Sequence, residues 1–377
     1  MQSGSRYISN LTPLRGIAAL WVVVFHFSEI VARFVPTKIS LVLTKGYLVV
    51  DLFFIMSGFI ISHVYQQSFQ SGISSENFRQ FTVARFARIY PLHFFTLLLC
   101  IFLVPVFGWD DTSDPRAIIT NLLLIHSFGI HKIFTWNVPS WSISAEWWAY
   151  MVFPFLTLFI YRKKKLAIAL LGIFVVLAYL GIMYWIPRVN IFEPNMPHRQ
   201  NLDVTFDFGY LRGLAGFICG MLLYMAYEKD LFRKIFQKDI TAIVVMFCSV
   251  LCMHFAWNDG FEIILFIAVV YAFAFNSGKL HVICNYRLPQ YLGKISYSIY
   301  LMQLFPLIPL FLGVKLPGLV YAANNYATTG FWTGIGYCLI YVLLVIALSS
   351  LTYYTIEKPC RKWLNAKLGK EKMPVYA

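Results

Sequence analysis

Two polar side chains interrupt the apolar run LRGIAALWVVVFHF at residues 14 to 27: Arg15 and, eleven positions on, His26. On an α-helix eleven residues turn through about 1100°, which leaves about 20° after three turns, and they rise about 16 Å. The spacing predicts one helical face with a guanidinium at one end and an imidazole at the other. A guanidinium can hold a phosphate, and a neutral imidazole can accept a hydroxyl proton near neutral pH. The pair has the makings of group transfer from a phosphorylated donor to a hydroxyl acceptor; the alternative is an Arg15 that snorkels to the interface and a His26 bonded to a neighbouring helix.

Three further ionisable residues sit in apolar surroundings: Asp51 in YLVVDLFFIMSGF, Glu146 in NVPSWSISAEWWAY and Arg212 in FGYLRGLAGF. At about 1.5 Å per residue, each is expected roughly 6 to 10 Å below the outer end of its helix, close to the depth of His26. Ionisable groups in lipid face the bundle interior and pair with one another. The expected site therefore has His26 as general base, oriented by Asp51 or Glu146, with Arg212, Ser142 and Ser144 as further polar groups. FRQFTVARFARIYPLH supplies Arg79, Arg85 and Arg88. Arg85 and Arg88 at i, i+3 are expected to share one side of a helical turn, at the positive N-terminal end of the third membrane helix, as a phosphate site.

The elements that must carry these residues are membrane helices. Of the 377 residues 59% are hydrophobic and only 13% charged, about half the charged fraction of a soluble domain. Spans of about 20 residues fall at about 14 to 33, 47 to 65, 89 to 107, 140 to 161, 166 to 186, 206 to 227, 239 to 257, 260 to 275, 290 to 312 and 332 to 356. The fold class expected is thus an all-α polytopic membrane protein of about ten helices, with the first retained rather than cleaved as a signal peptide. With both termini cytoplasmic, 22 of the 31 Lys and Arg residues lie on the inner side, as the positive-inside rule asks. This requires 117 to 130 to lie on or dip into the outer face without crossing.

The net charge of +14 then reports orientation and contact with anionic membrane lipids, not nucleic acid. Seven cysteines without ligand spacing are expected to be free thiols, and no metal site is expected. Residues 1 to 363 read as one transmembrane domain and 364 to 377 as a basic cytoplasmic tail.

TPLRGIAALWVVVFHF, DLFFIMSGFIIS, FTVARFARIYPLHF, NVPSWSISAEWWAYMVFPF, YLGKISYSIYLMQ and YYTIEKPCRKW, in this order, resemble the acyltransferase 3 family of membrane O-acyltransferases. The resemblance implies transfer of an acyl group, often acetyl, from acyl-CoA to a hydroxyl of a cell-surface polysaccharide or lipid-linked glycan, in the bacterial inner membrane. It carries the family's Arg and His onto Arg15 and His26, and its Arg-x-x-Arg pair onto Arg85 and Arg88, as donor-binding arginines. Two departures stand out. The ninth-helix motif often ends in His where this chain has Gln303. The chain also ends about twenty residues after its last helix, so transfer through a fused esterase-like domain would need a separate protein.

The outer segments are expected to recognise the acceptor, with Trp109, Asp110, Asp111, His131, Trp136 and Asp203 as carbohydrate-binding candidates. The competing class is a proton-coupled transporter or flippase using Asp51, Glu146, Arg212 and His26 as a relay. Transporters commonly carry internal repeats, and none is visible here.

Overall fold

A computed structural model of the chain describes residues 7–31, 34–103, 114–186, 200–307, 319–321 and 327–368. Trp109, Asp110, Asp111 and the end of the tail lie outside the described residues. The helices are α1 (Leu11–His26), α2 (Val49–Phe69), α3 (Ser75–Leu103), α4 (Arg116–Leu122), α5 (Trp141–Leu180), α6 (Gly209–Glu228), α7 (Arg233–Phe236), α8 (Asp239–His254), α9 (Asp259–Phe275), α10 (Lys279–Cys284), α11 (Arg287–Lys294), α12 (Ser296–Met302), α13 (Phe331–Thr352) and α14 (Lys358–Leu368). An antiparallel pair of three-residue strands, β1 (Leu319–Tyr321) and β2 (Ala327–Thr329), precedes α13.

Six of the described helical stretches are long and apolar enough to cross a membrane: Leu11–Val31, Gly46–Phe69, Ser75–Leu103, Val138–Trp185, Gly209–Glu228 and Phe331–Leu368. Val138–Trp185 runs for 48 residues, about 72 Å of helix, more than twice the hydrocarbon thickness. Its backbone breaks at Lys164, where φ is 33°, inside the RKKK cluster that separates the fourth and fifth spans of the sequence reading. The seventh and eighth spans appear as helices of 16 and 17 residues. The ninth is broken at Ile295 into two short helices. Segment 117 to 130 holds only the seven-residue α4, about 10 Å long and too short to cross. Large apolar side chains such as Phe155, Val176, Phe247 and Leu343 face outward, as lipid-facing positions do.

One expectation is corrected. Arg85 and Arg88 were placed at the start of a helix beginning near residue 89, but α3 begins at Ser75 and runs unbroken through both. Ser75 and Glu76 start the helix, and Asn77, Arg79 and Gln80 continue its polar first turns. Arg85 and Arg88 are therefore about three turns from the positive end of the helix dipole, which decays within the first turn.

The chain divides into two compact units, one comprising 1–8, 51–233 and 356–377, the other 9–50 and 234–355. In the first, α5 packs along α6 and α14 lies on α3. An aromatic cluster of Phe69, Phe81, Phe153 and Phe217 fills the core, with ring centroids 5.5 to 6.2 Å apart. The helices α2 and α6 cross backbone to backbone. A Cβ on Gly58 would drive into the Phe217 carbonyl, and one on Gly220 into the Ile55 carbonyl and to 2.7 Å from the Phe59 nitrogen. Small residues allow this approach, the usual device of helix pairs in membranes.

In the second unit α1 packs on α11, α12, α9 and α13. Its start is fixed by Asn10, whose Nδ2 donates to the carbonyls of Phe273 and Asn276, both at 2.9 Å. Glycine again sets the approach of α1 to α11, since a Cβ on Gly16 would stand 2.8 Å from the Gly293 nitrogen.

The α2/α6 crossing makes a direct prediction. Gly220→Ala is expected to lower stability by about 1–3 kcal/mol through overpacking, measured by thermal unfolding in detergent. Gly172→Ala, at a helix position with open space around it, should leave stability unchanged or slightly raised.

Candidate active site

His26 is the last residue of α1, and the chain passes at once into a π turn at Phe27–Val31. Such turns recur at functional sites. Within the second unit the imidazole Nδ1 lies 3.0 Å from the Val22 carbonyl oxygen and 3.1 Å from Gln303 Oε1. Gln303 is fully buried. Its Nε2 donates to the Tyr300 carbonyl at 2.8 Å, and its own carbonyl accepts the Tyr341 hydroxyl at 2.6 Å. Arg15 is partly buried on α1, three turns before His26.

The other charged residues of the sequence reading belong to the first unit. Arg212 and Asp51 expose no surface and form one ion pair. Arg212 Nη2 reaches Asp51 Oδ2 at 2.6 Å and its Nε contacts both carboxylate oxygens, at 3.2 and 3.1 Å. Nη1 donates to the Val204 carbonyl at 3.2 Å, and the guanidinium lies 5.5 Å from the Trp141 ring centre.

Glu146 Oε1 accepts from Ser57 Oγ at 2.7 Å and from the Tyr150 hydroxyl at 2.5 Å. Thus both carboxylates offered as partners for His26 are bonded inside the first unit, and Nδ1 of His26 is held by Val22 and Gln303.

Ser142 donates to the Pro139 carbonyl, and Ser144 donates to the Leu124 carbonyl at 2.6 Å while contacting Ser127 Oγ at 2.9 Å. Trp148 donates to the same Leu124 carbonyl. Leu124 has φ of 55°, so these bonds fix a tight turn of the loop against α5.

The arginines of α3 differ in their surroundings. Arg88 is ion-paired with Glu357, and the two side chains are 13% and 1% exposed. This pair accounts for the carboxylate of YYTIEKPCRKW, since it fixes the start of α14 on α3. Arg85 is 4% exposed. Its Nη2 donates to the Tyr65 hydroxyl at 2.9 Å, and its guanidinium carbon lies 5.1 and 5.8 Å from the Tyr65 and Tyr150 ring centres. Its Nε is buried without an acceptor among the described residues. Arg79 is largely exposed beside Glu76.

Among the acceptor-side candidates, His131 Nε2 lies 2.6 Å from Thr120 Oγ1, Trp136 is buried with φ of 53°, and Asp203 is exposed. The sequence reading missed a neighbouring pair of buried histidines. The rings of His93 and His126 are stacked at 6.0 Å. His93 Nε2 lies 3.0 Å from the Asn121 carbonyl and His126 Nε2 lies 3.1 Å from Ser140 Oγ. Burial first, and then the neighbouring His93, lower the pKa of His126 to about 3.

Ser57, Tyr150, Glu357 and Gln303 were also missed as partners. Glu146 and Tyr150 at i, i+4 carried a signal in the sequence. The others meet residues far away in the chain.

The fold and its buried charges define a multi-pass helical membrane protein. The family model described as "Acyltransferase domain" matches residues 8–354, and the chain belongs to this acyltransferase 3 family. It is 31% identical over 157 residues to the acyltransferase MdmB of Streptomyces mycarofaciens, covering 39% of this chain and 38% of the relative. It is 20% identical over 387 residues to the peptidoglycan O-acetyltransferase OatA of Listeria monocytogenes, covering 95% and 56%. To the O-acetyltransferase OatA of Staphylococcus aureus it is 24% identical over 391 residues, covering 95% and 58%. The chain thus spans little more than half the length of these O-acetyltransferases. No solved structure matches it.

Two outcomes follow. Arg88→Ala removes the ion pair seen at the buried Glu357 carboxylate, a loss of about 3–5 kcal/mol, whereas the apolar pair Arg88→Met/Glu357→Leu should recover most of it. Thermal unfolding of the three proteins measures this.

The second concerns His126, in the loop between α4 and α5. Its folded pKa of about 3 lies below the unfolded value of 6.5, so below pH 6.5 the unfolded chain binds the extra proton. Stability is lost as pH falls through the window from 6.5 towards 3, by about 2 kcal/mol at pH 5. His126→Gln should show a correspondingly smaller drop between pH 7.5 and pH 5.

Proposed function

We propose that this protein is a membrane O-acyltransferase that moves an acyl group, acetyl in the simplest case, from acyl-CoA to a hydroxyl of a cell-envelope glycan. Family membership supports the acyl transfer, and the names of the two OatA relatives support an O-acetylated acceptor, peptidoglycan in the case of the Listeria protein. The observation that carries the reading is His26: an imidazole near the end of a membrane helix, held among the described residues through one nitrogen.

The acceptor hydroxyl gives its proton to the imidazole as its oxygen attacks the thioester carbonyl. The carbon–sulfur bond then breaks, and the proton passes to the departing thiolate, so that coenzyme A leaves as the thiol. A route through an acyl-imidazole on His26 uses the same residue and differs in having two transfers.

The proposed topology has ten spans and both termini in the cytoplasm of a bacterial inner membrane, with the donor entering from the cytoplasm and the acceptor at the outer face. The excess of Lys and Arg in the inner segments supports it. For the donor phosphates we assign Arg15 and Arg85, the latter because its buried Nε lacks an acceptor among the described residues. Arg88 already has a carboxylate partner in Glu357.

The test is transfer by purified protein from acetyl-CoA to soluble glycan fragments, read by mass spectrometry and by release of the coenzyme A thiol. His26→Ala should keep the wild-type unfolding temperature and lose about 10²–10⁴-fold in transfer rate. Transfer at the wild-type rate by a folded His26→Ala would overturn the assignment. Proton-coupled glycan uptake without thiol release would favour transport.

A further inference from the structure

We propose that Gln303 is the positioning residue of the reaction, which fixes the tautomer and ring plane of His26; this rests on His26 being the base. Among the described residues both groups facing Nδ1 are acceptors, the Val22 carbonyl at 3.0 Å and the Gln303 amide oxygen at 3.1 Å. Nδ1 must therefore carry the ring proton, and the lone pair is on Nε2. An imidazole locked this way has its basic nitrogen on the side away from the helix backbone.

The orientation of the amide follows from its own partners. Gln303 Nε2 donates to the Tyr300 carbonyl one turn earlier at 2.8 Å. Turning the amide over would set an N–H against Nδ1–H and a carbonyl oxygen against the Tyr300 carbonyl, losing two hydrogen bonds at a fully buried residue. The main chain at Gln303 is held in turn by the Tyr341 hydroxyl of α13, 2.6 Å from its carbonyl. Three elements thus hold the imidazole: α1 through Val22, the end of α12 through Gln303, and α13 through Tyr341.

An amide suits this position because it accepts a hydrogen bond without bringing a charge. A carboxylate there would be a buried anion that needs its own cation. Outer partners that orient a reactive imidazole in this way act on rate through the group they hold, without touching substrate.

The experiment compares Gln303→Leu, which keeps the bulk and removes the acceptor, with Gln303→His, which keeps a neutral donor and acceptor pair. In Gln303→Leu, kcat for transfer from acetyl-CoA should fall about 10-fold or more, with the donor KM within about twofold of wild type. Gln303→His should restore most of the lost rate.

Solid-state ¹⁵N NMR of histidine-labelled protein, with the His26 signals identified by their loss in His26→Ala, reads the tautomer directly. Wild type should show protonated Nδ1 and bare Nε2, and the Nδ1–H fraction should drop in Gln303→Leu. Unchanged kcat with an unchanged Nδ1–H signature in Gln303→Leu overturns the proposal, as does a wild-type signature with the proton on Nε2. If His26→Ala proves active, the general-base reading falls by itself, while the NMR arm still decides whether Gln303 sets the tautomer.

Discussion

In a bundle surrounded by hydrocarbon, a charge taken out of water must find its partner inside the protein. Asp51 and Arg212 meet that demand with no exposed surface on either. The guanidinium is satisfied on several sides at once, by both carboxylate oxygens, by the Val204 carbonyl and by the face of Trp141. A lone buried pair often fails to recover the cost of desolvation, and such added hydrogen bonds are what tip the balance. The pair is also geometrically demanding. Asp51 lies on α2 two turns before Gly58, and Arg212 on α6 about two turns before Gly220, so the ion pair and the glycine crossing belong to the same helix interface. Close backbone approach brings a short aspartate within reach of the guanidinium, and the ion pair in turn fixes the register at which the glycines meet.

The same demand explains the contrast between the two units. In the first, charge is neutralised by charge or spread over tyrosines: Arg88 by Glu357, Arg85 against Tyr65 and Tyr150, Glu146 by two hydroxyl donors. Around His26 the described hydrogen-bond partners are neutral, a backbone carbonyl and an amide. A carboxylate beside an imidazole favours its charged form through a full opposite charge, whereas a neutral acceptor orients it with a much weaker pull toward that form. A base must start deprotonated, so holding it by uncharged groups fits that task.

How far this was legible from sequence follows from how local each feature is. The helical character, the first, second, third and sixth spans, and the break at RKKK all rest on composition over a few turns, and the long helices fall where the apolar runs predict. The ionisable residues in apolar runs were found because hydrocarbon makes them conspicuous, and the pairing rule for such residues holds for Asp51 and Arg212. Which residue meets which was not legible. His26 and Gln303 are 277 residues apart, Arg88 and Glu357 269 apart, and no periodicity links residues across such distances. Polar residues at the start of α3 hid its true beginning, because membrane hydropathy marks where a helix enters lipid and not where its hydrogen bonding starts.

Gln303 shows how a departure from a pattern can carry information. In the sequence it reads as a missing histidine, a weaker residue at a place where chemistry was expected. In the structure its side chain is fully used: the amide nitrogen on Tyr300, the amide oxygen on His26, the backbone carbonyl under Tyr341. A neutral histidine offers one donor and one acceptor nitrogen in a rigid ring, the same complement that the glutamine divides between Tyr300 and His26. The hydrogen-bonding function at this position can thus persist when the residue type changes, because the requirement there is an acceptor turned toward Nδ1 and held from behind by a donor bond of its own.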